Sequence, residues 1–324
     1  MRTTASQDSQ LPDYAPLLPH VEARAWTVDA QKGYLVRELK PTVFMITDGG
    51  YQAMFLTTGK GVVLFDAPPS FARHIVQAVA EVTEEPIVTL VYSHGHVDHV
   101  AGAGLIRQHN PQVEIVAEDG VARFLRDQKD PNRPEPTRVF KEQETLTLGS
   151  MSAELKVGYW HSPPGDLFIY LPDKKVLMAV DTMSSGSVPF MGLDLTMNMH
   201  AYLKVFDQML DYDFDVLVPG HHSNPSTRDD VKLVKDYVMD VYNTIKRIHE
   251  SDHNALTSQA AQKYGRSNRY AIARVLIDSD VDQCAKEIKD RWKAKLNSVD
   301  VWAASHCRTA LVYFEWDVGP RPRD

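Results

Sequence analysis

Short apolar runs cut by turn residues dominate the first two-thirds of the chain. Residues 43–47, 51–57 and 61–66 are such runs, the last two joined by a glycine-containing turn, and they predict antiparallel strands. In 70–82, Phe71, Ile75, Val79 and Val82 recur at helical spacing behind Ser70, which predicts a serine-capped helix, and the continuous run 87–92 predicts a buried strand. A helix at about 100–109, a strand at 113–117 and a short helix at 119–127 follow, and the proline-rich stretch 130–136 reads as a surface loop. The pattern then repeats, with strands at 145–148, 153–159, 167–171 and 176–180, a helix at 199–210 and a strand at 216–218. These elements predict an α/β fold, an αββα sandwich of two mixed β-sheets with outer helices.

Past residue 228 the period changes. Val231, Val234, Val238, Val241, Ile245 and Ile248 form a long helical stripe, and helical segments continue to about 298. The expected organisation is a flexible tail over 1–20, a catalytic domain over 21–227 and a mainly helical C-terminal extension over 228–324. The stripe would pack on the catalytic domain, roof its pocket or form a homodimer; packing is the default.

Composition narrows the function classes. The 324 residues carry 35 Lys+Arg against 43 Asp+Glu, a formal charge of −8, which disfavours a nucleic-acid partner. No apolar run approaches the roughly 18 residues that span a bilayer, so no membrane partner is expected. The polar, proline-bearing start and the two cysteines, Cys284 and Cys307, favour a cytoplasmic protein in a reducing compartment, although one bridge between them is compatible with the sequence. The chain also holds 13 histidines, and their placement is uneven.

Directly after the buried strand 87–92 stand His94, His96, Asp98 and His99, four metal-ligand types within six residues at a strand end. Burying three imidazoles and a carboxylate is costly unless a cation organises them. This H-x-H-x-D-H loop resembles the signature of the metallo-β-lactamase superfamily. The resemblance extends to a lone histidine after a strand, His161, to Asp181 closing the hairpin 167–180, and to His221 in Val218-Pro219-Gly220-His221. It covers roughly residues 43–224.

The resemblance implies a binuclear site. His94, His96 and His161 would form one ligand face, Asp98, His99 and His221 a second, and Asp181 would bridge them. Two Zn2+ ions per chain are expected, with Fe or Mn also suited to mixed imidazole and carboxylate ligands. Such a pair lowers the pKa of a shared water towards about 7, and Asp98 or Asp181 could relay protons as catalytic residues. His222 is the alternative to His221. Asp66 resembles the family aspartate that supports the metal loop, or is an ordinary turn residue; Asp166 would orient His161 or cap the hairpin. The methionine-bearing stretch 183–199 would fill the core or wall an apolar substrate. The remaining histidines lack ligand context and are expected at surface or packing positions. The charged run 282–295 reads as a solvated helix face rather than an anion site.

Departures from subfamilies bear on the substrate. Asp181 stands near where β-lactamases of the family place cysteine or serine, the segments around His161 and after Asp181 differ from glyoxalase II-like thioesterases, and Ser184 replaces the tyrosine of quorum-quenching lactonases. The expected activity is hydroxide attack on the carbonyl of a small cyclic ester or amide, a lactone or lactam, as in detoxification. A glyoxalase II-like thioesterase or β-lactamase-type hydrolase is the alternative within hydrolysis. Iron-dependent dioxygenases or flavodiiron-type reductases are the alternative of another class, and a non-catalytic metal-organised binding protein is a third.

Overall fold

The computed structural model describes residues 11–161 and 165–318. The first ten residues of the expected tail, and Ser162, Pro163 and Pro164 after His161, lie outside them. Where a loose start was expected, Ala15 N–H donates to Asp300 and Leu18 N–H to Asn297, and a helical turn α1 (Pro19–Glu22) follows.

Strands β1 (Leu35–Lys40), β2 (Val43–Thr47), β3 (Gln52–Thr57) and β4 (Val62–Phe65) form an antiparallel meander. Helix α2 (Ala72–Ala80) then leads to β5 (Ile87–Val91). The single turn α3 (Val97–Val100) and α4 (Ala103–His109) precede β6 (Glu114–Glu118), α5 (Asp119–Gln128) and β7 (Arg138–Phe140). These seven strands make one sheet in sequential order, parallel from β4 onward. Next come β8 (Gln143–Leu148), β9 (Met151–Val157), β10 (Leu167–Leu171) and β11 (Val176–Ala179). After the one-turn α6 (Met191–Leu195) and α7 (Met199–Leu210), β12 (Val216–Val218) completes a second sheet of order β12-β11-β10-β9-β8. The rest is α8 (Arg228–His249), α9 (Asn254–Tyr264), α10 (Arg269–Trp292) and α11 (Val299–Tyr313).

Two mixed sheets face each other with helices outside, as the alternation of elements predicts. The inner layer joins Met45, Met54 and Phe65 of the first sheet to Leu155, Ile169 and Met178 of the second. The outer face of the first sheet buries Phe55, Leu64 and Leu90 under α2, α4 and α5. The outer face of the second does the same with Phe168 and Leu177 under α7, and its core runs on without a break through Val234, Val241, Ile288 and Leu311. The C-terminal helices therefore share a core with the second sheet.

Several local expectations change. Helix α2 starts at Ala72, with Phe71 at the N-cap and no side-chain cap, so Ser70 caps nothing. The helix expected at about 100–109 is interrupted at Gly102, whose N–H donates to the Ala67 carbonyl at 2.8 Å instead of to a carbonyl of the preceding turn, and this close approach requires glycine: an added Cβ would lie 2.3 Å from the Ala72 Cβ and 2.5 Å from the Ala67 oxygen. The break frees α3 as a separate turn that carries Asp98 and His99. Strands β1 and β7, absent from the sequence reading, are the two edges of the first sheet, where outward polar residues interrupt the apolar signal. Cys284 of α10 and Cys307 of α11 form a disulfide, against the expectation of reduced thiols. Among the described residues, no helix is long and apolar enough to cross a membrane.

Candidate metal centre

The site sits where strand ends of both sheets meet. Strand β4 is followed directly by Asp66, which adopts a left-handed conformation (φ 63°). Its buried carboxylate accepts a bond from Ser93 N–H at 2.7 Å and lies 4.0 Å from His99 Nδ1. Burial raises the Asp66 carboxyl to about 6, against the opposing pull of His99 and Ser93. Of the two roles expected for Asp66, support of the metal loop is the one its contacts match. Asp166 accepts from His161 N–H at 2.8 Å and so holds the backbone of that histidine.

The seven expected ligands converge. His94, His96, His161 and Asp181 present ligand atoms within 4.8 Å of one another, and Asp98, His99 and His221 do the same. Asp181 touches both groups. Its Oδ2 is 3.4 Å from His94 Nε2 and 3.3 Å from His161 Nδ1, while its Oδ1 is 2.8 Å from His221 Nε2 and 3.2 Å from His99 Nε2. His221 thus reaches the cluster; His222 belongs to neither ligand group and only borders the cavity.

The donor set fits metal ions. Among the described residues, His94 Nε2 and His161 Nδ1 are buried without a hydrogen-bond partner, an expensive arrangement for imidazoles unless a cation takes their lone pairs. Burial holds the His94 imidazole well below its usual range and the His161 imidazole at about 4, so both are neutral as ligation requires. Burial alone would raise the Asp181 carboxyl, but the surrounding imidazoles, His99 foremost, hold it well below the carboxylate range. The site is thus an anionic bridge inside a ring of histidines.

Residues with no motif to announce them fix these ligands. Gln52 donates from Nε2 to the carbonyls of His221, His222 and Asn224, and its Oε1 accepts from Gly220 N–H, so one side chain shapes the whole His221 loop. A glutamine entering an otherwise apolar strand was its only sequence signal. Arg133, in the proline-rich stretch read as a surface loop, is buried and donates to the Gly95 carbonyl inside the metal loop at 2.7 Å. Nothing local in the sequence marks it. Trp160 Nε1–H donates to the Val180 carbonyl beside Asp181.

A cavity of about 410 Å³ opens on the cluster, bordered by Tyr51, His96, Asp98, Ser184, Phe190, Asp194, Leu195 and His222 among others. Among the described residues, no lysine or arginine lines it. A larger groove of about 630 Å³ on the second sheet, beside Glu144, Lys156 and Tyr212, is lined by no histidine or cysteine among the described residues and shares no lining residue with this site. The stretch 183–199 divides between the two roles expected for it: Met183 and Met199 are core residues, whereas Phe190, Met191 and Met197 are exposed. Of the other histidines, His306 is fully buried in α11 and His200 contacts Tyr313 on the surface.

Residues 46–221, more than half of the chain, match the family model described as the Metallo-beta-lactamase superfamily. The chain belongs to that superfamily. Among solved structures, this superfamily member resembles a metallo-beta-lactamase from Pontibacter korlensis (TM-score 0.53, 16% identity, covering 63% of this chain and 97% of that one). It also resembles the stereoselective inverting sec-alkylsulfatase Pisa1 from Pseudomonas sp. (TM-score 0.56, 19% identity, 88% of this chain and 50% of that one). At these identities the likeness is one of fold, but 88% coverage necessarily includes part of residues 228–324. Curated relatives include the 2,4-dinitroanisole O-demethylase subunit alpha of Nocardioides sp. (strain JS1661), 25% identical over 58% of this chain and 57% of the relative. Another is the linear primary-alkylsulfatase of Pseudomonas sp. (strain ATCC 19151), 22% identical over 54% of this chain and 42% of the relative. The chain spans about half the length of these relatives. It is a metallohydrolase-fold protein with a histidine and aspartate cluster suited to metal ions.

Proposed function

We propose that the protein is a binuclear, zinc-dependent hydrolase that opens a small, uncharged cyclic ester or amide, a lactone or a lactam. The observation that carries this proposal is the pairing of two ligand groups across Asp181 with a cavity that, among the described residues, has no lysine or arginine side chain. A sulfate or phosphate ester brings its own negative charge into the site, and without a lysine or arginine that charge would have to be met by the metal ions alone. A neutral carbonyl makes no such demand.

In this assignment His94, His96 and His161 would hold one ion and Asp98, His99 and His221 the other, with Asp181 shared. Bound there, the ions would supply a water acidic enough to ionise near neutral pH and would polarise the substrate oxygen. The chain's own part is orientation and proton handling. Asp66 and Asp166 hold the metal loop and His161 in place through backbone bonds. Asp98, partly exposed at the cavity, can take a proton from the attacking side and return it to the leaving oxygen or nitrogen.

A second assignment, alkyl sulfate hydrolysis, is supported by the alkylsulfatase relatives, one of which is similar in fold over 88% of this chain. The test is a panel of lactones, lactams, thioesters, aryl methyl ethers and alkyl sulfates, assayed with protein reconstituted with Zn2+, Mn2+ or Fe2+ and analysed for metal content. Opening of lactones or lactams by the protein carrying two zinc ions, lost in Asp98→Asn, is the expected result. Turnover confined to sulfates or thioesters, or oxygen consumption with one iron per chain, would overturn it.

A further inference from the structure

Between the metal cluster and the C-terminal helices runs an unusual backbone segment. Gly192, Leu193, Asp194 and Leu195 all have positive φ (65°, 61°, 55° and 55°), so α6 is a left-handed turn. Left-handed helical geometry strains every residue but glycine, and three of these four carry a Cβ. Runs of this kind persist only where the surroundings over-determine them.

Here the surroundings are identifiable. Inside the turn, Phe190 N–H donates to Asp194 Oδ1 at 2.7 Å and Asp194 N–H returns a bond to the Phe190 carbonyl at 3.1 Å. Leu193 is wholly buried. On one side, Met197 N–H donates to the carbonyl of His161 at 2.9 Å, which ties the segment to a metal-site histidine. On the other, α11 grips it: Gly192 N–H donates to Ser305 Oγ at 2.9 Å, the Phe190 and Trp302 rings meet at 4.9 Å, and His306 Nε2 lies 2.9 Å from the Phe190 carbonyl. A carbonyl only accepts, so Nε2 carries the proton and Nδ1 takes one from the Tyr237 hydroxyl at 2.7 Å. The chain of contacts runs from α8 through His306 to the turn.

Held this way, the segment turns apolar side chains outward. Phe190, Met191, Leu195 and Met197 are 51%, 43%, 42% and 75% exposed, and Phe190 and Leu195 border the metal cavity itself. An exposed apolar cluster continuous with a site marks a place where apolar ligand surface is taken up. We propose that residues 190–197 form a recognition arch for an apolar tail on the substrate, and that His306 is the positioning residue that fixes the arch. The ligand class is a neutral carbonyl compound with an alkyl or aryl chain reaching past Phe190 and Leu195. This deepens the hydrolase assignment above and rests on it for the reacting group only.

The test separates the two. With metal-loaded protein, KM is compared for γ-butyrolactone, γ-octalactone and γ-decalactone, and n-alkanols from butanol to octanol are titrated calorimetrically as ligands that are not turned over. KM and Kd should both fall with chain length, by up to about fourfold per buried methylene. Phe190→Ala should flatten both series. His306→Leu should flatten them as well, with the loss falling on KM of the long lactones rather than on kcat, and His306→Gln, which can still donate to Phe190 and accept from Tyr237, should restore the slope. A merely structural defect would lower kcat for every substrate and would spare the slope. If no lactone is opened but alkanol affinity keeps its Phe190-dependent slope, the lactone assignment falls and the arch stands. If neither series depends on chain length, or Phe190→Ala leaves the slopes intact, the arch is refuted.

Discussion

Reducing the bond between Cys284 and Cys307 should cost the protein measurable stability. The two cysteines are separated by 23 positions, and both are fully buried, in α10 and α11. In the chain-entropy description, releasing a loop of this length frees the unfolded ensemble by about 3 kcal/mol at 25 °C. Reduction leaves both sulfurs in the core, so the cross-link effect is read without the cavity that Cys→Ala would add. Urea unfolding followed by circular dichroism, with and without reductant, should show a lower midpoint on reduction and a larger m-value, because the unfolded chain is less constrained. Thiol titration of protein unfolded without reductant should find no free thiol before reduction and two per chain after it. Two free thiols from the outset, or a stability change within about 0.5 kcal/mol, would refute the reasoning, since the loop-closure effect is several times that size.

Other consequences concern the residues around the site. Burial depresses the His306 imidazole from 6.5 to about 4, against the carbonyls of Phe190 and Pro189. Its neutral form therefore adds stability that is fully present above pH 6.5 and is lost as pH falls through about 4; the difference is about 3 kcal/mol, and His306→Gln should flatten the urea stability profile between pH 7 and pH 4.5. Gly102→Ala forces a methyl against the Ala67 carbonyl and Ala72, so it should destabilise by about 1–3 kcal/mol and weaken metal retention by shifting α3, checked by unfolding and by chelator competition. Gln52→Leu leaves the carbonyls of His221, His222 and Asn224 without their shared donor and should reduce metal affinity about 10- to 100-fold in the same competition assay; retention at the wild-type level would remove Gln52 from its supporting role.

Much of the sandwich was legible because strand and helix periods are local. The limits predicted for the strands at 43–47, 167–171 and 216–218 and for the helix at 199–210 coincide with β2, β10, β12 and α7. The edge strands β1 and β7 were illegible for the same reason that they are edges, since one side of each faces water and carries polar residues. The metal loop could be read because four ligand types crowd six positions, a density that packing alone does not require. Gln52 and Arg133 could not, because each acts on a loop far away in sequence, and nothing near them records that partnership.

The sequence by itself determined the ligand inventory, the superfamily and the order of the layers, all of which follow from residue type and local spacing. Tertiary structure alone decided three further matters: that one carboxylate, Asp181, lies within reach of both histidine groups; that Cys284 meets Cys307; and that α11 holds a left-handed turn at the mouth of the site. Each depends on segments distant along the chain brought within a few ångströms by burial of a common core. Periodicity identifies the face an element will bury, and the opposing surface becomes defined only once the core has closed.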